Sequence, residues 1–193
     1  MVATEPLALL DRALDQTERV IAGIRPDQAH LPTPCSSWDV RALVGHLVDV
    51  LGTFAARARG ESPGMPASAA DPGDDWPGAF RARADELLAA WQAAGDLDRK
   101  VDLGIGELPL RFVIDQQVTE CAAHTWDLVT ATGQRADLDP EIAEHALDWA
   151  RGALQPAFRG TEAEGKAFGP EVQVPADAPA YDRLAAFFGR QAG

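Results

Sequence analysis

The sequence predicts an all-α protein: a four-helix bundle with one short β-hairpin and a small C-terminal extension. Three observations carry that reading. Long segments with apolar residues at helical spacing follow one another and are separated by stretches rich in Pro and Gly. Only residues 98–110 change to an alternating pattern that suits a hairpin. Hydrophobic residues fill 46% of the 193 positions, enough for one core, so the chain reads as a single domain, 1–193. Its bundle core is expected at 5–154 and its extension at 155–193.

Leu7, Leu10, Leu14, Ile21 and Ile24 mark a first amphipathic helix from Glu5 to Ile24, ended by Arg25-Pro26. Pro32 and Pro34 make 27–37 a loop. Ser36 or Ser37 reads as the N-cap of a second helix, about Trp38 to Arg59, with Asp39 in its first turn complementing the helix dipole. Leu43, Leu47, Val50, Leu51 and Phe54 form its apolar stripe, and His46 lies on that stripe. Residues 60–75, rich in Gly, Pro, Ser, Ala and Asp, read as a mobile loop, a lid or rim. A third helix runs from about Trp76 to Ala94, with Pro77 tolerated in its first turn and Gly95 as its stop. In the hairpin, Val101-Asp102-Leu103 alternates, Gly104-Ile105-Gly106 turns, and Pro109 confines its strand to an edge. The fourth helix, about Leu110 to Thr132, ends at Gly133. The fifth, about Pro140 to Leu154, starts with Asp139 as cap and Pro140 at its first position. Residues 155–179 are irregular, with Val172-Gln173-Val174 as a short strand. A last helix, Ala180 to Gly189, docks through Leu184, Phe187 and Phe188.

The net charge of -13 excludes several functions. No basic stripe exists to displace counterions from nucleic-acid phosphates, or to dock on an anionic membrane. No run approaches the roughly 20 apolar residues of a membrane helix, and the N-terminus lacks the features of a signal peptide. Two cysteines, Cys35 and Cys121, make no disulfide framework. The expectation is a cytoplasmic protein, a monomer or homodimer.

The chemistry concentrates in Thr119 to Leu128, TECAAHTWDL. Glu120 and His124 stand four residues apart, one turn apart on one helix face, able to reach one point. That spacing alone also describes a solvated Glu/His pair, and His46 alone also describes a core histidine. Together they form an inward polar trio, which needs either a metal or an extensive hydrogen-bond network, because unpaired buried polar groups are costly. Two His and one Glu form an established catalytic zinc set with a position left for water. The same set suits iron, and ligand identity alone does not separate zinc from nickel, manganese or iron.

Other residues carry weaker signals. Asp127 is placed to orient a ligand imidazole, or to cap or face water. Gln116 and Gln117 precede Glu120 by one turn and are candidates to line a cavity. Cys35 stands before a helix N-terminus, where the dipole lowers a thiol pKa. Cys121 points away from the ligand face, toward the core. His30 and His145 read as surface or packing residues, and the five tryptophans as core. Arg57, Arg59, Arg81 and Arg83 are candidates to receive an anion, and equally to be solvated or ion-paired.

TPCSSWDVRALVGHLV, ECAAHTWDLVTATG and FGPEVQVPADAPAYDRLAAFFGR, in that order, resemble actinobacterial metal-binding proteins. These are related to the N-terminal domain of mycothiol-dependent maleylpyruvate isomerase, within the DinB/YfiT-like superfamily. The resemblance implies a DinB-like four-helix bundle and a divalent metal, often zinc, held by His46, Glu120 and His124. It also implies a low-molecular-weight thiol, mycothiol, as cosubstrate, whose sulfur attacks a small electrophile. A mycothiol S-transferase or isomerase is therefore expected. Nothing after Leu154 is long enough for that isomerase's second domain, which argues against the maleylpyruvate reaction itself. Two other readings compete. A non-catalytic, metal-stabilised binding or sensor domain predicts an ion enclosed by protein with no cavity. A metal-dependent hydrolase needs a general base, for which Asp127 is the candidate.

Overall fold

The computed structural model describes residues 5–36, 38–61, 69–102, 107–160, 164 and 168–191. Its elements are α1 (Glu5–Ala22), α2 (Val40–Ala58), α3 (Trp76–Ala93), β1 (Lys100–Asp102), β2 (Glu107–Pro109), α4 (Leu110–Thr132), α5 (Pro140–Ala153) and α6 (Ala180–Phe187). Short 3₁₀ turns stand at Pro26–Gln28 and Pro156–Phe158. No described helix is long and apolar enough to cross a membrane.

Helices α1 to α4 close a ring. α1 packs on α3 and α4, and α2 packs on the same two. The seam is filled by Leu10, Leu14, Leu43, Leu47, Leu51, Phe54, Phe80, Leu87, Trp91 and Ile114, all buried. Each such side chain contributes about 1.5–3 kcal/mol by leaving water. α5 and α6 then pack on the far side of α4. This leaves α4 buried on almost every side, so it has no polar face of the kind an amphipathic helix shows. Polar pairs between helices, two buried and one part-buried, pin the assembly. The Thr17 and Thr125 hydroxyls meet at 2.8 Å between α1 and α4, Gln16 donates to the Tyr181 phenol at 2.5 Å, and Trp126 donates to Asp182 at 3.0 Å.

The structure corrects several boundaries. α1 ends at Ala22, not Ile24. Asp39, expected inside the first turn of α2, is its N-cap and accepts from the Ala42 amide at 2.8 Å. The Val40 amide donates to the Leu31 carbonyl, which holds Asp39 extended and starts the helix at Val40 rather than Trp38. Ser37 lies outside the described residues. The hairpin forms with Val101 opposite Leu108, and its 103–106 turn lies outside the described residues. Val172–Val174 is not a strand: the Val172 amide donates to Ala186 at the end of α6, and no strand lies beside it among the described residues. The bridge in this region joins Arg159 and Phe168 instead.

In the 60–75 loop, residues 62–68 lie outside the described residues. The part that follows rests on α2, with the Ala70 amide donating to Asp49 at 2.7 Å. Gly45 permits that approach, since a Cβ there would stand 1.9 Å from the Ala70 carbonyl oxygen. At the end of α4, Gly133 takes the left-handed conformation, φ 64°, that a helix stop requires.

Candidate metal centre

Two helices of the ring supply the cluster. The cap at Asp39 sets the phase of α2 so that His46 falls on the side facing α4. One turn apart on α4, Glu120 and His124 meet it. His46 Nε2 lies 2.8 Å from Glu120 Oε1, and His124 Nε2 lies 3.4 Å from the same oxygen. One ligand atom from each of the three residues falls within 4.8 Å of the others, so the cluster can hold a metal ion. Trp38, in the segment before α2, stacks on the His46 ring at 4.2 Å. The His46 and His124 rings meet edge to face at 5.2 Å.

Behind His124 stands a second layer. Its Nδ1 lies 2.9 Å from Asp127 Oδ2, and the Asp127 side chain is fully buried. Asp127 also accepts two hydrogen bonds from Arg190, from Nε at 2.7 Å and from Nη2 at 2.9 Å. Arg190 follows α6, so the last described part of the chain reaches back to brace the cluster.

The electrostatics follow from this packing. Burial alone would raise the Glu120 carboxyl, but hydrogen bonds and charge from His124 and His46 outweigh it and hold Glu120 well below its ordinary value. Burial alone would lower His124, but Asp127 and Glu120 push it up to about 9. Asp127 is likewise held down by His124 and Arg190 against its burial. Two carboxylates thus flank His124 and call for positive charge at its Nε2 side, from a proton or from a cation.

A cavity of about 250 Å³ opens beside Glu120 and His124, between α4 and the chain from α5 onward. Phe112, Trp149, Phe158, Phe168 and Phe188 give it aromatic walls. Gln116, Thr119 and Arg190 are its other polar contributors. Phe158 is still 45% exposed, which places it at the mouth. The cluster therefore borders open space, unlike the enclosed ion that a purely structural or sensing site predicts.

His46, Glu120 and His124 come together as the sequence suggests. Asp127 takes the orienting position behind His124; fully engaged there, it is not free to serve as the base a hydrolase needs. Gln116 lines the cavity, whereas Gln117 is buried and accepts from the Trp91 indole at 3.0 Å. Cys121 is core, its thiol pushed up to about 12 by burial and by the Glu120 charge. Cys35 is half-buried and close enough to Arg190 to act on it electrostatically. His30 meets Asp39 and His145 meets Asp115, both away from the cluster. Arg59 and Arg83 pair with Glu86, Arg81 pairs with Asp15 and Asp85, and Arg57 lies over Phe54. None of these four lines the cavity.

Sequence reasoning missed the parts that come from distant chain. Trp38, which reads as core from its sequence position, is a plate against His46. Arg190 carried no periodic or spacing signal; only its place at the end of the C-terminal stretch AAFFGR marked it.

The family described as the mycothiol maleylpyruvate isomerase N-terminal domain matches residues 10–129, a span that carries His46, Glu120, His124 and Asp127 and stops before Arg190. Two uncharacterized proteins of Mycobacterium tuberculosis, from strains CDC 1551 / Oshkosh and H37Rv, are each 38% identical over 189 residues. Those alignments span 96% of this chain and 98% of each relative. No solved structure matches the chain.

Proposed function

The chain belongs to the family of the mycothiol maleylpyruvate isomerase N-terminal domain, and from that premise we propose that it is a metal-dependent thiol transferase or isomerase. His46, Glu120 and His124 bind one divalent metal, zinc in the first instance. The cosubstrate is a low-molecular-weight thiol, mycothiol, and the acceptor is a small electrophile. One observation carries the reading: three ligand atoms, two imidazole nitrogens and a carboxylate oxygen, converge within 4.8 Å beside a cavity.

The donor set fits the ion. With its Nδ1–H donated to Asp127, His124 keeps the Nε2 lone pair directed at the cluster, which is the form a metal ligand requires. Two imidazoles and one carboxylate suit zinc and leave a position for an incoming group. A divalent ion held there would lower the pKa of a thiol and so favour its nucleophilic form at neutral pH.

The chain's own residues do the rest. Trp38 fixes the plane of the His46 ring. Asp127, held by Arg190, fixes the tautomer and tilt of His124. The aromatic walls exclude water from the space where the acceptor is attacked, and Gln116 and Thr119 offer polar contacts on the α4 side of that space.

The test is metal analysis of purified protein beside His46→Ala, Glu120→Ala and His124→Ala. Wild type is expected to carry one divalent metal per chain, and each variant to lose most of it. Undiminished metal in all three would remove the site. Mycothiol consumption against a panel of electrophiles then addresses the reaction; it is expected only in protein that keeps its metal.

A further inference from the structure

The cavity has a chemical character of its own. Its aromatic walls come in two contacting pairs, Phe112 with Trp149 at 5.0 Å and Phe168 with Phe188 at 5.1 Å between ring centroids. Surfaces of this kind pack best against flat π systems. Arg190, the cation on its wall, is not available to a second anion: Asp127 already engages its guanidinium through two parallel hydrogen bonds. In metal-free protein Glu120 adds a carboxylate at the inner end, where another anion would be repelled; a divalent ion held there would compensate that charge. What Arg190 does retain is N–H donor capacity, since a guanidinium has five N–H groups and Asp127 takes two. That suits a neutral acceptor such as a carbonyl oxygen. The volume of about 250 Å³ is below the range typical of drug-sized ligands, about 300–1,000 Å³, and suits a single ring system.

We infer that the cavity beside Glu120 and His124 binds an uncharged, flat carbonyl compound, aromatic or conjugated, and that without an ion on Glu120 it discriminates against carboxylates. That this molecule is the electrophile of the reaction rests on the function proposed above; that it binds does not. The fit to a flat ring lies in Phe112, Trp149 and Phe188, and the carbonyl contact in Arg190, on the cavity side of the metal cluster.

Acetophenone and benzoate share ring and size and differ in charge, so calorimetric titration of the purified protein with each is the test. In chelator-treated protein acetophenone is expected to bind at least tenfold more tightly than benzoate. Ala153→Phe adds a ring at the cavity wall without touching the buried core, and is expected to weaken acetophenone at least tenfold while leaving metal content unchanged. Trp149→Leu, which keeps the site apolar, is expected to weaken it several-fold. The same titration after chelator treatment separates the two readings: acetophenone binding that survives metal removal belongs to the cavity, whatever becomes of the metal centre. Benzoate binding as tightly as acetophenone in chelator-treated protein, no acetophenone binding, indifference to Ala153→Phe, or loss of acetophenone binding with the metal would each overturn the inference.

Discussion

Replacing Asp127 with Asn separates orientation from folding. The carboxylate receives three hydrogen bonds, one from His124 and two from Arg190, and none of its surface reaches water. An Asn of the same shape has one acceptor oxygen and one donor NH₂. If the oxygen stays on Arg190, the NH₂ faces His124 Nδ1 and drives the imidazole proton to Nε2, which blocks the lone pair that points at the cluster. Loss of such an outer partner lowers metal affinity about 10–100-fold, or about 1.4–2.7 kcal/mol. The same change leaves the Arg190 guanidinium, 9% exposed, without its counter-charge; unpairing a buried ion pair costs about 3–5 kcal/mol of stability. Arg190→Met breaks that pair from the other side and leaves the His124–Asp127 contact in place. Both variants should therefore unfold at lower urea in chelator, while only Asp127→Asn should lose most of its zinc affinity in competition with a chromophoric chelator. If Asp127→Asn kept wild-type affinity, or Arg190→Met lost as much, Asp127 would not be orienting His124.

Two further predictions test the frame around the site. Asp39→Ala removes the N-cap of α2 and is expected to cost about 0.5–2 kcal/mol in urea denaturation, whereas Ser36→Ala should be near neutral; the reverse order would restore the serine cap. Tyr181 gives an alkaline signature. Burial, against a hydrogen bond from Gln16, pushes its phenol up to about 12, so the folded state keeps a proton that the unfolded chain releases near 10. Its contribution is complete below pH 10 and is lost as pH rises toward 12, by up to about 2.7 kcal/mol. Tyr181→Phe should flatten the decline of stability with pH across that window, and an equally steep decline would show that other groups cause it.

The helices were legible because their stripes are local. Leu7, Leu10 and Leu14, or Leu43, Leu47 and Phe54, repeat within a few turns and need no knowledge of the partner. Glu120 and His124 were legible for the same reason, and His46 because a polar residue on an apolar stripe must be satisfied inside. The α2 cap was misplaced because Ser36, Ser37 and Asp39 are all good caps within four positions. What selects Asp39 is the Val40–Leu31 hydrogen bond, a contact across a loop. The Val172–Val174 strand failed because a strand needs a neighbour, and α6 takes the Val172 amide instead. Arg190 stands 63 residues from Asp127, and apart from Phe112 on α4 the aromatic walls arrive from α5, the turn after it and the segments flanking α6, so no periodicity within α4 announces them.

The burial of α4 on both sides decides how site and scaffold relate. Its face toward α2 carries the ligand atoms, and its face toward α5 and the chain end carries the cavity; Glu120 and His124 belong to both. Ligand chemistry and acceptor choice therefore sit on different structural neighbours of one helix. A change on α5, such as Ala153→Phe, should alter what binds without altering the metal, because α5 contributes no ligand atom. Arg190 is the exception, since it lines the cavity and also holds Asp127 behind His124. It is the one described residue through which a change at the cavity wall reaches the cluster along a chain of hydrogen bonds. Arg190→Met should thus disturb acetophenone binding strongly and metal affinity weakly, an asymmetry expected because the cavity loses a wall while His124 keeps its own hydrogen bond.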